Sequence, residues 1–143
     1  MMDFVLANQW QDSFSIHNAS PPKGSFLGLH LLLPQAAQPT RSRAGHPGPD
    51  LHGRPAVGAS VRVQLKDGRV LISQIDGGSG HSGKRSPEAL IGLGGVPASE
   101  MLDVAVQWRD PGGRVQNETL KFTPGWHTVV LGWPGTESTG STR

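Results

Sequence analysis

The 143-residue chain has no cysteine. That excludes a disulfide framework and any thiolate metal site, and leaves it equally compatible with reducing and oxidising compartments. No apolar stretch approaches the roughly 18 residues of a membrane-spanning helix; the longest, around Leu31 to Leu33, is strand-sized. Met1-Met2-Asp3 lacks the basic start of a secretion signal. An excess of charge of one sign is also missing. Net charge is +2, although the pI is about 9.5, so electrostatics give little reason to expect a nucleic-acid partner. Leu, Ile, Val and Phe supply only 33 of 143 residues, so part of the chain is expected to fold and part to stay disordered.

Glycine and proline are plentiful, at 32 of 143 residues, and disfavour a helical bundle. The pattern between them is that of strands. Residues 1–20 predict a short pair, Phe4 to Ala7 and Phe14 to Ile16, around a turn at Asn8 to Asp12. After Pro21-Pro22-Lys23-Gly24, Leu27, Leu29, Leu31 and Leu33 fall on one face of a half-buried strand. Residues 34–55 hold repeated Pro and Gly breakers, and read as one long exposed, mobile loop. Further strands follow around Val61 to Leu65, Val70 to Ile75, Ala89 to Leu93, Leu102 to Trp108, Arg114 to Leu120 and Trp126 to Trp133. Asp67-Gly68 predicts a two-residue type I′ hairpin turn, and Asp110 to Gly113 a second turn. The expected fold is all-β: a small antiparallel β-sandwich or partial barrel with little or no helix. Its expected parts are 1–20, 21–133, and a disordered tail at 134–143.

The Gly/Ser loop from Asp76 to Ser86 is the most suggestive segment for ligand binding. Consecutive glycines can aim N–H groups at an anion, and Lys84 and Arg85 add positive charge. Arg85 stands where a phosphate-binding loop needs Ser or Thr, and Pro87 stands where it needs a helix, so nucleotide binding is not expected. An anion or sugar contact and a flexible connecting loop both remain open. None of the six His residues is spaced as an i, i+2 or i, i+4 pair with another, so solvated or capping roles are expected and no metal site. Ser79, His81 and Ser82 are neighbours, but no G-x-S-x-G elbow carries a nucleophile. Glu88, Glu100, Asp103, Asp110 and Glu118 all stand in exposed-looking contexts and do not pair as glycosidase carboxylates. Trp108 shares the inward parity of Leu102, Val104 and Val106 and is expected in the core. Trp126 and Trp133 flank the last strand, and Trp10 is left exposed. Arg62 and Arg114 read as solvated. Asn18-Ala19-Ser20 and Asn117-Glu118-Thr119 match the glycosylation sequon, which matters only in a eukaryotic secretory protein.

Four motifs stand in a fixed order: Ala56 to Val63, Gly78-Ser79-Gly80-His81-Ser82, Ile91-Gly92-Leu93-Gly94, and Val104 to Trp108 with Gly113-Arg114-Val115. Over residues 51–132 this order resembles the ASPIC/UnbV domain. Asp3 to Asn8 and Ile16-His17-Asn18 resemble the closing half of an FG-GAP/VCBS repeat, a propeller blade that often precedes it. His81 replaces the family's loop Tyr, and Gly83-Lys84 its Ser-Gln. Arg109-Asp110 precede Pro111 where the family's Pro follows the Trp directly. Gly53-Arg54 stands at the family's Asn-Arg. Of the blade's calcium-binding aspartates only Asp3 remains, and calcium wants six to eight oxygens. No metal or cofactor is therefore expected.

The resemblance implies a non-catalytic accessory or interaction domain, the C-terminal module of an FG-GAP/VCBS-type protein. Adhesion-type proteins such as cartilage acidic protein and bacterial members of enediyne-type clusters carry such modules, which implies an extracellular or cell-envelope setting. The alternatives are a carbohydrate-binding-like β-sandwich and an accessory subunit in natural-product biosynthesis. Arg54, Gly78, Gly80, His81, Lys84 and Arg85 are the candidate ligand-binding residues. Phe4, Leu6 and Trp10 are the candidate interface, for a protein partner, the molecule's own upstream propeller or a second copy; unpaired edges template pairing.

Overall fold

The computed structural model describes residues 3–19, 21, 24–78 and 86–135. Within them the chain is all-β and forms three sheets, with no helix among the described residues. β1 (Phe4–Leu6) and β2 (Phe14–Ile16) form an antiparallel hairpin by themselves. Four strands make one layer of a sandwich, in the order β10 (Val115–Phe122), β9 (Leu102–Arg109), β6 (Ser60–Gln64), β7 (Val70–Gln74), all antiparallel. The other layer is built on β3 (Ser25–Leu33). One edge of β3 pairs with β11 (Gly125–Val130), which pairs in turn with β4 (Arg41–Ala44). The other edge takes β8 (Glu88–Gly94) along residues 25–30 and β5 (Arg54–Pro55) at Leu32 and Leu33.

Strict alternation decides the layering. Leu27, Leu29 and Leu31 of β3 are fully buried against Val61 and Val63 of β6 and Val104 and Val106 of β9. Trp108 continues the β9 row and is 4% exposed, so the expected core position holds. The β3–β11 ladder is parallel, the one departure from antiparallel pairing among these strands. Parallel neighbours require a crossover. Here the chain passes through both layers between Leu33 and Gly125 before returning beside β3.

Two sequence expectations change. Segment 34–55 is more than a loop, because β4 and β5 within it extend the β3 layer. Their residues lack aliphatic alternation because both are short edge pieces. The Asp67-Gly68 hairpin is present, but its loop has three residues. Gly68 N–H donates to Leu65 O (3.1 Å), Leu65 N–H donates to Arg69 O (2.9 Å), and Gly68 takes φ +88°. That is the turn-plus-left-handed-glycine pattern. Asp67 holds it, accepting from Arg69 N–H (3.0 Å) and Arg69 Nε (2.7 Å). The Asp110 turn repeats the design, with Gly113 at φ +80° and its N–H on Asp110 O (2.9 Å).

Candidate functional site

The expected ligand residues do not assemble among the described residues. Gly80, His81, Lys84 and Arg85, with Ser79 and Ser82, lie outside them, as does the 136–143 part of the expected tail. Gly78 is described: its N–H donates to Asp76 Oδ1 (3.0 Å), a local turn bond. Arg54 is exposed on β5 and lines a depression of about 580 Å³ with Leu33, His52 and Pro111. Asp76 and Gly77 line a different one, with Val57 and Gln74.

Of the expected interface residues, Phe4 and Leu6 lie on β1 and Trp10 lies in the turn that follows it. The β1–β2 register sets Leu6 opposite Phe14 and Phe4 opposite Ile16, so these four positions share one hairpin face. Leu6 (50%), Phe14 (54%) and Ile16 (41%) are exposed there, and Trp10 at the hairpin end is 89% exposed. The hairpin is closed by its own polar groups. Asp3 Oδ1 accepts from Asn18 N–H (2.8 Å) and stands 3.0 Å from His17 Nδ1. The Asn18 amide and then His17 hold the Asp3 carboxyl below its usual value.

A second cluster lies on the outer face of the β3 layer. The registers align Gly28 with Trp126 and with Leu90, and His30 with Thr128 and with Glu88. Trp126 lies over Gly28, where a Cβ would come within 2.4 Å of the indole ring. The ring stacks on His30 (centroids 5.0 Å, 25°), tilts against His46 (4.7 Å) and meets Phe26 edge-on (5.7 Å). His30 Nε2 and His46 Nδ1 are 2.8 Å apart, and His30 Nδ1 is 3.4 Å from Glu88 Oε1. With Glu88 as its carboxylate and both imidazoles neutral, one proton placement serves all three groups. His30 Nδ1–H points at Glu88, and His30 Nε2 accepts from His46 Nδ1–H. Burial pushes the His30 pKa down; Glu88 acts against this and His46 with it.

The loop carrying His46 is tied to the sheet at several points. Gly45 N–H donates to Trp126 O (2.6 Å), and Thr128 Oγ1 donates to Gly45 O (2.8 Å). Arg43 pairs with Asp50 (3.0 Å) and donates to His46 O (3.3 Å). The expectation of solvated histidines therefore fails at His30. His127 is buried rather than solvated, at 8% exposed, and takes the capping role, with Nε2 2.8 Å from the Thr123 carbonyl and its ring 4.7 Å from that of Phe122. Sequence spacing could not pair His30 with His46, because strand pairing brings them together across 16 positions. The signal available was the outward parity of His30 within a leucine strand.

Asp110 also departs from its exposed reading. Its side chain is fully buried, although Arg114, its partner, is exposed. It accepts from Arg114 N–H (3.0 Å), Arg114 Nε (3.2 Å) and Gln116 Nε2 (3.0 Å). Burial alone would raise its pKa; these donors, the Arg114 amide foremost, outweigh it and the net direction is down.

No group of three or more His, Asp or Glu able to hold a metal occurs among the described residues. Among the described residues no helix is long and apolar enough to cross a membrane. No curated protein and no solved structure matches the chain. The family model for ASPIC and UnbV matches residues 48–138, a span running from the loop before β5 to beyond β11 and covering more than half of the chain. The chain belongs to the ASPIC and UnbV family.

Proposed function

We propose that the chain is a non-catalytic interaction module, the C-terminal part of an FG-GAP/VCBS-type protein, and that the β1–β2 hairpin is its docking element. The observation that carries this reading is the exposed apolar surface of Leu6, Trp10, Phe14 and Ile16. A two-stranded hairpin is at best marginally stable alone in water. Three-residue strands with large apolar side chains on one face call for a neighbouring sheet to cover that face or extend the ladder. A propeller blade offers such a sheet; in the isolated chain, a second copy is the available substitute. The Asp3–Asn18 bond supports the reading, since it joins the two residues that end the blade-like stretch.

The test is sedimentation analysis of the chain and of the triple variant Leu6→Ser, Trp10→Ser, Phe14→Ser. The expected result is concentration-dependent self-association of the parent and a monomeric variant, with unchanged unfolding of the sandwich. A parent that stays monomeric at high concentration refutes the docking role.

A further inference from the structure

We propose that a cleft at the open side of the sandwich binds a neutral glycosyl unit. The cleft has a volume of about 500 Å³, inside the roughly 300–1,000 Å³ range of small-molecule sites. It lies between edge strand β10 and a second wall where segments 37–40 and 132–135 meet. Trp108 lines it, as do the half-buried Trp133, Gln116 and Glu118 and the exposed Asn117.

The polar groups have unused capacity. Glu118 lies on the inward-facing parity of β10, half-buried opposite Val106, and its carboxylate has no hydrogen-bond or ion-pair partner among the described residues. Gln116 spends its amide N–H on Asp110, leaving its carbonyl oxygen as an acceptor. Gln116 also keeps its second amide N–H as a donor, whereas Asn117 alternates to the outer face of β10, where its carbonyl oxygen accepts from Gln107 Nε2 (2.9 Å). The indole N–H of Trp108 is buried with no partner among the described residues. Acceptors and donors thus stand together beside an aromatic wall.

Ligand classes separate on this inventory. The lining has no Lys, Arg or His, so nothing offsets Glu118 for an anion. One carboxylate is too few donors for a metal ion. A purely apolar ligand would desolvate Glu118 and the Gln116 amide without replacing their water. An organic cation would satisfy Glu118 and stack on indole, but it would leave the Gln116 and Trp108 donors unmatched. Hydroxyl groups both donate and accept, and the C–H face of a sugar ring can lie against Trp133. The walls are held in advance. Gly132 N–H donates to Thr40 Oγ1 (3.0 Å), and Trp133 N–H to Gln38 O (3.1 Å). Binding therefore requires little ordering of the site.

The experiment titrates the full chain with maltose, cellobiose and N,N′-diacetylchitobiose, read by tryptophan fluorescence and by amide NMR shifts. Saturable binding of at least one disaccharide at millimolar concentration is expected, with shifts gathered at 37–40, 116–118 and 132–135. Glu118→Ala should weaken it by at least about tenfold, the loss of one charge-assisted hydrogen bond. Trp133→Ala should abolish it; if that variant does not fold, Glu118→Gln, which keeps the side-chain shape and removes the charge, supplies the second measurement with a smaller loss. The hairpin triple variant should bind unchanged. Three outcomes overturn the proposal: no saturation by any of the three sugars, shifts gathered elsewhere, or binding of choline with the sugars silent.

Discussion

Gly28→Ala should destabilise the fold, and the sign is the informative part. Replacing a glycine inside a strand ordinarily gains about 0.5–1 kcal/mol, because glycine loses the most backbone freedom on folding. At position 28 a Cβ would sit 2.4 Å from Trp126 Cε3 and 2.6 Å from Cζ3. The ring cannot tilt freely, since it is stacked on His30, lies at a tilt against His46 and meets Phe26 edge-on. Overpacking of this kind costs about 1–3 kcal/mol. A clash this short places the net loss near 2 kcal/mol, or roughly 4–8 °C in Tm for a chain of this size. The assay is urea unfolding followed by fluorescence, for which Trp10, Trp108 and Trp133 remain as reporters when Trp126 is replaced. In a Trp126→Ala background the methyl has room, and Gly28→Ala should become neutral or stabilising by up to about 1 kcal/mol. The resulting coupling of about 2–3 kcal/mol is that of residues in contact. Equal losses in both backgrounds, or a gain in the parent, would refute the account of the Gly28–Trp126 contact.

Two further outcomes follow from the same layer. Gly132→Ala should be worse than Gly28→Ala, because its Cβ would meet backbone atoms, Gln38 O at 2.1 Å and Thr40 N at 2.4 Å, which cannot rotate away; thermal unfolding should show a loss beyond about 3 kcal/mol or no cooperative transition. The pH dependence follows from His30, whose folded pKa lies below its unfolded value of about 6.5. The unfolded chain then binds more protons in that window, so this stability is fully present above about pH 6.5 and is lost as pH falls from there through the folded pKa. Unfolding midpoints at steps between pH 8 and 5 should show that slope in the parent and lose it in His30→Gln; a parent flat across this range would contradict the burial of His30.

The sandwich was legible because its strands are one-sided. Leu27, Leu29, Leu31 and Leu33, or Leu102, Val104, Val106 and Trp108, state their inward face by alternation alone, and all eight are buried. The exposed hairpin was legible for a related reason: Leu6, Trp10 and Phe14 are too large and apolar for a segment cut off from the leucine strand by Pro21-Pro22. What alternation cannot encode is a partner across a sheet. β4 is four residues, Arg41 to Ala44, with no aliphatic side chain larger than the Ala44 methyl, and its strand character comes from β11 lying beside it. The same limit hid the Glu88–His30–His46 chain, whose members come from β8, β3 and the loop after β4. It hid the cleft too, where Trp108 and Glu118 meet Trp133 only because β10 is an edge strand and the chain crosses near Gly132. Both polar clusters thus lie where different strands or layers meet. Core patterning specifies each face singly, so function in this chain must be sought at the places that no single strand describes.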